Sequence, residues 1–370
     1  MLTTASHLCL EDFLAARGAA FAPHLVPLPY ATAFRLHKLP QGTYIFADLE
    51  RLSGPELSQA GWLWDQLARR GDGVQLLNHP TQVKQRFELL RTLHTQGLND
   101  FDVYRLDEQR VPARFPVFVR SEQEHNAVAS GLLPDAPALA DFLQRRRSAG
   151  HNVCGSIITE FCGEPDERGL YRRYAAFKVG QRIIPTDIFF GHGWEVRGMA
   201  RTFVVDEDTL AAETAFLHGN PHEAELREVF ATARIDYGRV DYGVVGGRIQ
   251  VYEINTNPYV AASPLGGERR AALYEHFCRH FLDALTSLNN QHSTLLLSIK
   301  PQPAEKRADV RKWIKQTLYN ALWNSGPSHS YAQRLRHIRQ LMVRARQVMP
   351  SMQKRLVRRA EPKTVLEKMP

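Results

Sequence analysis

The sequence predicts an α/β protein with an open-sheet N-terminal domain, a mixed α+β body and a helical C-terminal tail. Three observations carry that reading. Short β-rich runs alternate with longer amphipathic segments through the first hundred residues, the pattern of an open α/β layer. The length, 370 residues, is enough for two or three packed units. The charge pattern then breaks near Pro301. The last 70 residues hold 16 Lys and Arg against 4 Asp and Glu, and the rest of the chain holds 31 against 35.

The elements follow in order. Thr43 to Phe46 reads as a strand, and Ser53 caps a helix running towards Arg70, with Glu56 as its capping-box partner. Val74 to Leu77 is a second strand, Gln82 to Gln96 a helix, and Phe101 to Leu106 extended. Phe115 to Arg120 is β-rich, and Ala138 to Arg147 is a helix with a basic end. Strands follow at Ser156 to Phe161, Tyr171 to Val179 and Arg182 to Phe190, the last two joined by a hairpin at Gly180-Gln181. Helices at Glu207 to Leu217 and His222 to Arg234 precede a strand pair, Arg239 to Val245 and Ile249 to Asn255. A helix from Glu268 to about Leu288 closes the body; Leu273, Phe277, Phe281 and Leu285 recur every four residues, as a buried stripe does. The expected domains are 1–106, 107–185, 186–290 and a tail over 300–370.

Composition narrows the class. A hydrophobic fraction of 44% and a charged fraction of 23% are those of a soluble globular chain. No run is long enough to span a membrane, and the first residues do not read as a signal peptide. Cys9, Cys154, Cys162 and Cys278 are scattered, which argues for reduced thiols in a cytoplasm rather than a zinc site or disulfide framework. The body is mildly acidic, so any anionic partner, a membrane surface or a nucleic acid, belongs to the tail. There, Leu335, Ile338, Met342, Ala345 and Met349 lie three or four apart with five arginines interleaved, the pattern of a basic amphipathic helix.

The segment that carries chemistry is GRVDYGVVGGRIQVYEINTNP, Gly238 to Pro258. Strand alternation sets Arg239 and Asp241 on one face, and Glu253 and Asn255 on one face. Two carboxylates brought together repel unless a cation separates them, and an all-oxygen donor set suits Mg²⁺ or Mn²⁺. A regular two-residue turn at Gly246-Gly247 would put Asp241 opposite Tyr252 and send Glu253 to the other face. A shared site therefore requires a three-residue loop, Gly246 to Arg248, or a bulge of the same parity.

Arg-x-Asp followed by Glu-x-Asn-x-Asn-Pro resembles the metal-binding end of the ATP-grasp superfamily, which includes D-alanine–D-alanine ligases, ribosomal-protein glutamate ligases and glutathione synthetases. The resemblance implies an ATP-grasp fold with two α+β lobes enclosing ATP. It implies Asp241, Glu253 and Asn255 as ligands of Mg²⁺ (or Mn²⁺), and Arg239 beside the transferring phosphoryl group. Asn78 to Leu98 resembles the segment that supplies a first nucleotide-binding lysine, here Lys84. Pro116 to Arg120 resembles a strand that ends in a phosphate-contacting lysine, here Arg120. Ser121 to Ser130 holds no glycine where the family has a glycine-rich loop. Ile158 to Cys162 resembles the adenine-binding strand, which implies Glu160 with the main chain of Phe161 and Cys162. Asp166 and Glu167 are candidates for the ribose. Gly191 to Arg201, with His192, Trp194, Arg197 and Arg201, is a candidate substrate loop. The implied activity is an ATP-dependent carboxylate–amine or carboxylate–thiol ligation through an acyl phosphate, in a cytoplasmic protein that the tail could bring to a membrane. The alternatives are a non-catalytic nucleotide-sensing module and a protein acting through its tail.

Overall fold

A computed structural model gives the fold. It describes residues 1–299 except 5–8, 72, 109, 123–128, 152, 154, 197–203 and 289–295. The expected basic helical tail, the centre of the glycine-free segment, Arg197, Arg201 and Cys154 lie outside the described residues. Met1–Pro303 forms one unit by contact.

The N-terminal part is built from short parallel ladders. Strand β1 (Leu2–Thr3) precedes helix α1 (Glu11–Ala16) and pairs with β2 (Leu28–Pro29). After α2 (Tyr30–Ala33) and β3 (Lys38–Pro40), β4 (Gly42–Ile45) pairs in parallel with β5 (Val74–Leu77), and a bridge from Leu2 to Phe46 joins the two ladders. Between β4 and β5 lies α3 (Gly54–Ala68), whose start carries the expected reciprocal bonds between Ser53 and Glu56. Asn78 follows β5 in a left-handed conformation (φ 64°), which asparagine tolerates. Its amide donates to Phe46 and Tyr237 and accepts from Asp236 and Tyr237. That single buried side chain ties the N-terminal ladder to the sheet that carries the hairpin.

Helix α4 (Arg86–Thr95) begins four residues later than the sequence pattern suggests, after a turn and bend at 82–83 and two irregular residues. A three-stranded antiparallel sheet follows, β6 (Val103–Arg105), β7 (Val117–Ser121) and β8 (Ser156–Glu160), with β8 central and α5 (Ala136–Ser148) inserted between β7 and β8. The larger sheet is antiparallel, in the order β10 (Arg182–Gly191), β9 (Tyr171–Val179), β11 (Tyr237–Val245), β12 (Arg248–Asn255).

Alternation gives that sheet two different faces. One side packs Ala176, Val240 and Tyr242 against α4, α6 (Glu207–Gly219) and α7 (Glu223–Ala233). The other packs Phe177, Val179, Ile184 and Tyr237 on Phe277 and Phe281 of α8 (Ala271–Ser287). Further along the same face, past the end of α8, Arg239 and Asp241 line a cavity. Strand β13 (Leu296–Ser298) pairs with β3. Among the described residues, no helix is long and apolar enough to cross a membrane.

Candidate nucleotide and metal site

The cavity, about 560 Å³, is lined by the larger sheet, by Phe118, Arg120 and residues 159–164 of the smaller sheet and its following loop, and by residues 257–265. Its floor is set by register. Asp241 stands opposite Glu253 on one side and Ala175 on the other; Arg239 stands opposite Asn255 and Phe177. Residues directly opposite share a face, so Arg239, Asp241, Glu253 and Asn255 project together. The turn is the two-residue one, with Val245 opposite Arg248, and both turn glycines have positive φ (55° and 79°), as a type I′ hairpin requires. The expected three-residue loop is therefore absent. A bulge between Asp241 and Tyr242 restores the parity.

Four guanidinium groups surround the two carboxylates. Glu253 accepts from Arg86 at 2.5 Å and from Arg120 at 2.7 Å. Asp241 accepts from Arg239 at 3.0 Å and from Arg173 at 3.3 Å. Burial lowers the pKa of Arg120, with Glu253 opposing. Burial would lower Arg239 too, but Asp241, Asp187 and Glu253 together hold it above its ordinary value. Arg86 also donates to the carbonyls of Ser121 and Glu122, so it ties the segment after β7 to the hairpin. The sequence reading missed Arg86 and Arg173. A signal for Arg173 exists: it is two same-face steps along β9 from Phe177, which pairs with Arg239.

Lys84 is not brought to this cavity. It lines a separate cavity of about 20 Å³ with Gln85, Arg86 and Glu122, and from this segment it is Arg86, two residues on, that reaches Glu253. The start of α4 fixes which side chain of the segment turns inward.

Glu160 lines the cavity, but its carboxylate is committed elsewhere. It accepts from the N–H groups of Asp102, Ala113 and Arg114, from the Tyr104 hydroxyl and from the Arg114 side chain. Burial would raise its pKa; these hydrogen bonds outweigh burial and hold it below the usual carboxylate range. Its observed part is to close residues 102–114 onto β8. Phe161 donates its N–H to Pro116 and Cys162 accepts from Tyr252, which among the described residues leaves the Phe161 carbonyl and Cys162 N–H facing no such partner. Trp194 lies against Phe118 and Phe161, with ring centroids 5.0 and 5.7 Å apart, and lines the cavity, whereas His192 is exposed. Asp166 is bonded to Arg172 and to the N–H groups of Arg168 and Leu170; neither it nor Glu167 lines the cavity, and Glu164 does. Asp187, also missed, lines the cavity and is held by Arg270, which in turn pairs with buried Glu213.

Among the described residues, no group of three His, Cys, Asp or Glu side chains is placed to hold a metal ion. The candidate set is two carboxylates and one amide, and Asn255 Oδ1 accepts from the Asn257 N–H. That set suits Mg²⁺, which keeps waters and takes one or two carboxylates with substrate phosphates rather than an all-protein cage.

No protein-family model matches the chain, and no curated protein matches it. Among solved structures it is similar to D-alanine–D-alanine ligase from Bacillus anthracis, at 12% identity and TM-score 0.44, over 78% of this chain and 97% of that one. It is also similar to a RimK domain ATP-grasp protein from Sphaerobacter thermophilus, at 15% identity and TM-score 0.42, over 75% and 97%. A third is an L-amino acid ligase from Bacillus licheniformis, at 12% identity and TM-score 0.35, over 69% and 66%. The functional reading rests on the residues that line the cavity, and it is these, on the hairpin, that resemble the ATP-grasp superfamily.

Proposed function

We propose that this chain is a Mg-ATP-dependent ligase that activates a carboxylate as an acyl phosphate and transfers it to an amine or thiol. The observation that carries the reading is the pairing of Asp241 with Glu253 on one face, ringed by Arg86, Arg120, Arg173 and Arg239. Opposed carboxylates among several guanidinium groups match a polyanion that arrives with a divalent cation. The two lobes around it are the three-stranded sheet β6–β8 with α5 and the larger sheet β9–β12 with its helices; the expected boundary between 107–185 and 186–290 would cut β10 and belongs between β8 and β9.

In this reading the purine lies by Trp194 and Phe161, bonded to the Phe161 carbonyl and Cys162 N–H, and Glu164 takes the ribose. Arg86 and Arg120 contact the phosphates. Asp241, Glu253 and Asn255 would hold a Mg²⁺ or Mn²⁺, which would supply charge neutralisation to the phosphates. The substrate carboxylate attacks the γ-phosphorus and ADP leaves; Arg239 donates to the oxygens on which charge builds. The amine or thiol then attacks the acyl carbon, phosphate departs and the nucleophile loses its proton.

A screen of ADP release over carboxylic acids, with hydroxylamine present to trap acyl phosphate, tests this. The expected result is acid-dependent ADP with an equal amount of hydroxamate. ATP binding that never yields acid-dependent ADP across a broad panel would leave a nucleotide-binding module and refute the ligase.

A further inference from the structure

One arginine of the cavity wall comes from the N-terminal part of the chain. Arg51 ends the 3₁₀ turn Leu49–Arg51 that follows β4, and it lines the same cavity as Arg239, Asn255 and Asn257. The turn is fixed against the end of the hairpin. Leu49 N–H donates to Thr256 Oγ1 at 3.1 Å, and the Thr256 hydroxyl donates to Glu50 at 2.5 Å. Thr256 follows Asn255, which stands opposite Arg239, so two guanidinium groups reach the same end of the cavity from different elements. Both bear on the Cys9 thiol: burial pushes it up to about 12, Asp48 and Glu50 add to the rise, and Arg51 and Arg239 oppose it.

The turn shows the cavity its guanidinium and keeps its two carboxylates elsewhere. Asp48 is fully buried in a left-handed conformation (φ 59°), which aspartate tolerates. One of its oxygens accepts from the N–H and hydroxyl of Thr4 at 3.0 and 2.6 Å, and the other lies 3.4 Å from Arg51 Nε. Glu50 lines the separate small cavity with Lys84. Residues 5–8 and 197–203 adjoin the lining in sequence; none is an aspartate or glutamate, and Arg197 and Arg201 are cationic. The Arg51 side chain is 37% exposed, so a ligand can reach it. Asp48 engages Nε rather than the fork of terminal nitrogens, and the fork is the edge that takes a carboxylate in two parallel bonds.

We infer that the acid activated at this site carries a second carboxylate, bound by the Arg51 fork while the reacting carboxylate lies by Arg239. This rests on the ligase reading and narrows it to diacids. The second carboxylate exchanges its hydration for a charge-assisted pair with an arginine that Asp48 already orients. A monoacid of the same length leaves that pair unmade.

The test uses the full chain with Mn²⁺ and a non-hydrolysable ATP analogue. Pairs of equal carbon number are titrated by calorimetry: succinate and butanoate, glutarate and pentanoate, adipate and hexanoate. In at least one pair the diacid is expected to bind about 10-fold more tightly than the monoacid. Arg51→Gln is expected to remove that preference, cutting diacid affinity about 10-fold and leaving the monoacids and the analogue within about 2-fold of the wild type. Arg51→Lys, which keeps the charge and loses the fork, falls between the two. Melting curves of both variants separate loss of the contact from loss of the fold, and the wild-type comparison stands whatever the variants do. A wild type that binds no diacid, or binds diacids no better than monoacids, overturns the inference and leaves the nucleotide site standing. So does a preference that survives Arg51→Gln, or an equal loss of both members of a pair. Failure of the analogue to bind refutes the nucleotide reading instead; the same pairs titrated without it then decide the role of Arg51 on their own.

Discussion

Replacing Glu253 by glutamine removes one carboxylate and leaves two guanidinium groups without their counter-charge. Side-chain exposure is 6% for Arg86, 15% for Arg120 and 19% for Glu253, so none is at the surface and none is wholly dry. Breaking a fully buried ion pair costs about 3–5 kcal/mol, and an exposed one 0–1. With this intermediate solvation, about 2–3 kcal/mol is expected. Domains of 150–250 residues lose about 2–4 °C per kcal/mol, so Tm should fall by about 4–12 °C without ligand. A triphosphate supplies fresh anionic partners to Arg86 and Arg120, so ATP in chelator should recover most of the lost Tm in the variant. The further increment from Mg²⁺ should shrink, because a ligand carboxylate is gone. Melting curves with no ligand, with ATP and chelator, and with ATP and Mg²⁺ measure all three quantities. An unchanged ligand-free Tm would refute the electrostatic reasoning, and an undiminished Mg²⁺ increment would remove Glu253 from the metal set.

Four further outcomes are expected. Lys84→Ala should change ATP affinity by less than about 3-fold, whereas Arg86→Ala should weaken it at least about 10-fold; equal losses in equilibrium titration would restore Lys84 to the site. Glu160→Gln should destabilise the fold by about 1–3 kcal/mol while sparing nucleotide affinity. Because hydrogen bonds hold the folded pKa of Glu160 below its unfolded value, its contribution is complete above about pH 4.3 and fades as pH falls through the lowered value; a wild-type–variant gap in denaturant midpoint that persists unchanged into strong acid would contradict this. His276 is pushed below 6.5 by burial and by His280, His218 and Arg279, so its contribution is present above pH 6.5 and lost on acidification; His276→Asn should flatten the stability profile between pH 7 and 5. Glu213→Gln, which leaves Arg270 only Asp187 as an ion-pair partner among the described residues, should cost about 2–3 kcal/mol in a chemical denaturation series.

Secondary structure was largely legible, because local signals and tertiary demands agree. The Ser53–Glu56 box, the strand at Val74–Leu77 and the four-residue stripe of α8 are each stated by residues near in sequence. The site was legible only where it rests on one hairpin. Arg86 was hidden because nothing local says that α4 begins there, or that its guanidinium crosses to Glu253, 167 residues on. The bonds that hold Glu160 were hidden for a related reason. Its position on β8 is local, but its hydrogen-bond partners at 102, 104, 113 and 114 come from β6 and the segments on either side of it, which are brought to β8 by tertiary contacts. Asp187 and Arg173 needed the order of the sheet, which places β9 between β10 and β11 and so brings both strands' side chains to Asp241.

The hairpin shows how parity can be known before the device that produces it. A shared metal face demanded an odd offset between β11 and β12, and either a longer turn or a bulge would supply it. The chain has Gly-Gly, which meets the positive φ of both positions of a type I′ turn, so the turn closes in two residues and its twist matches that of the strands. The extra residue must then fall inside the ladder, and it falls at Tyr252, beside Gly243. A Cβ at Gly243 would collide with the Tyr252 hydroxyl, so glycine there gives the ring room. The hydroxyl goes on to bond the Cys162 carbonyl at 3.2 Å. One inserted residue thus does two things. It turns Glu253 towards Asp241, and it anchors the loop after β8 to the hairpin, linking the Phe161–Cys162 end of the cavity to its paired carboxylates through a single side chain.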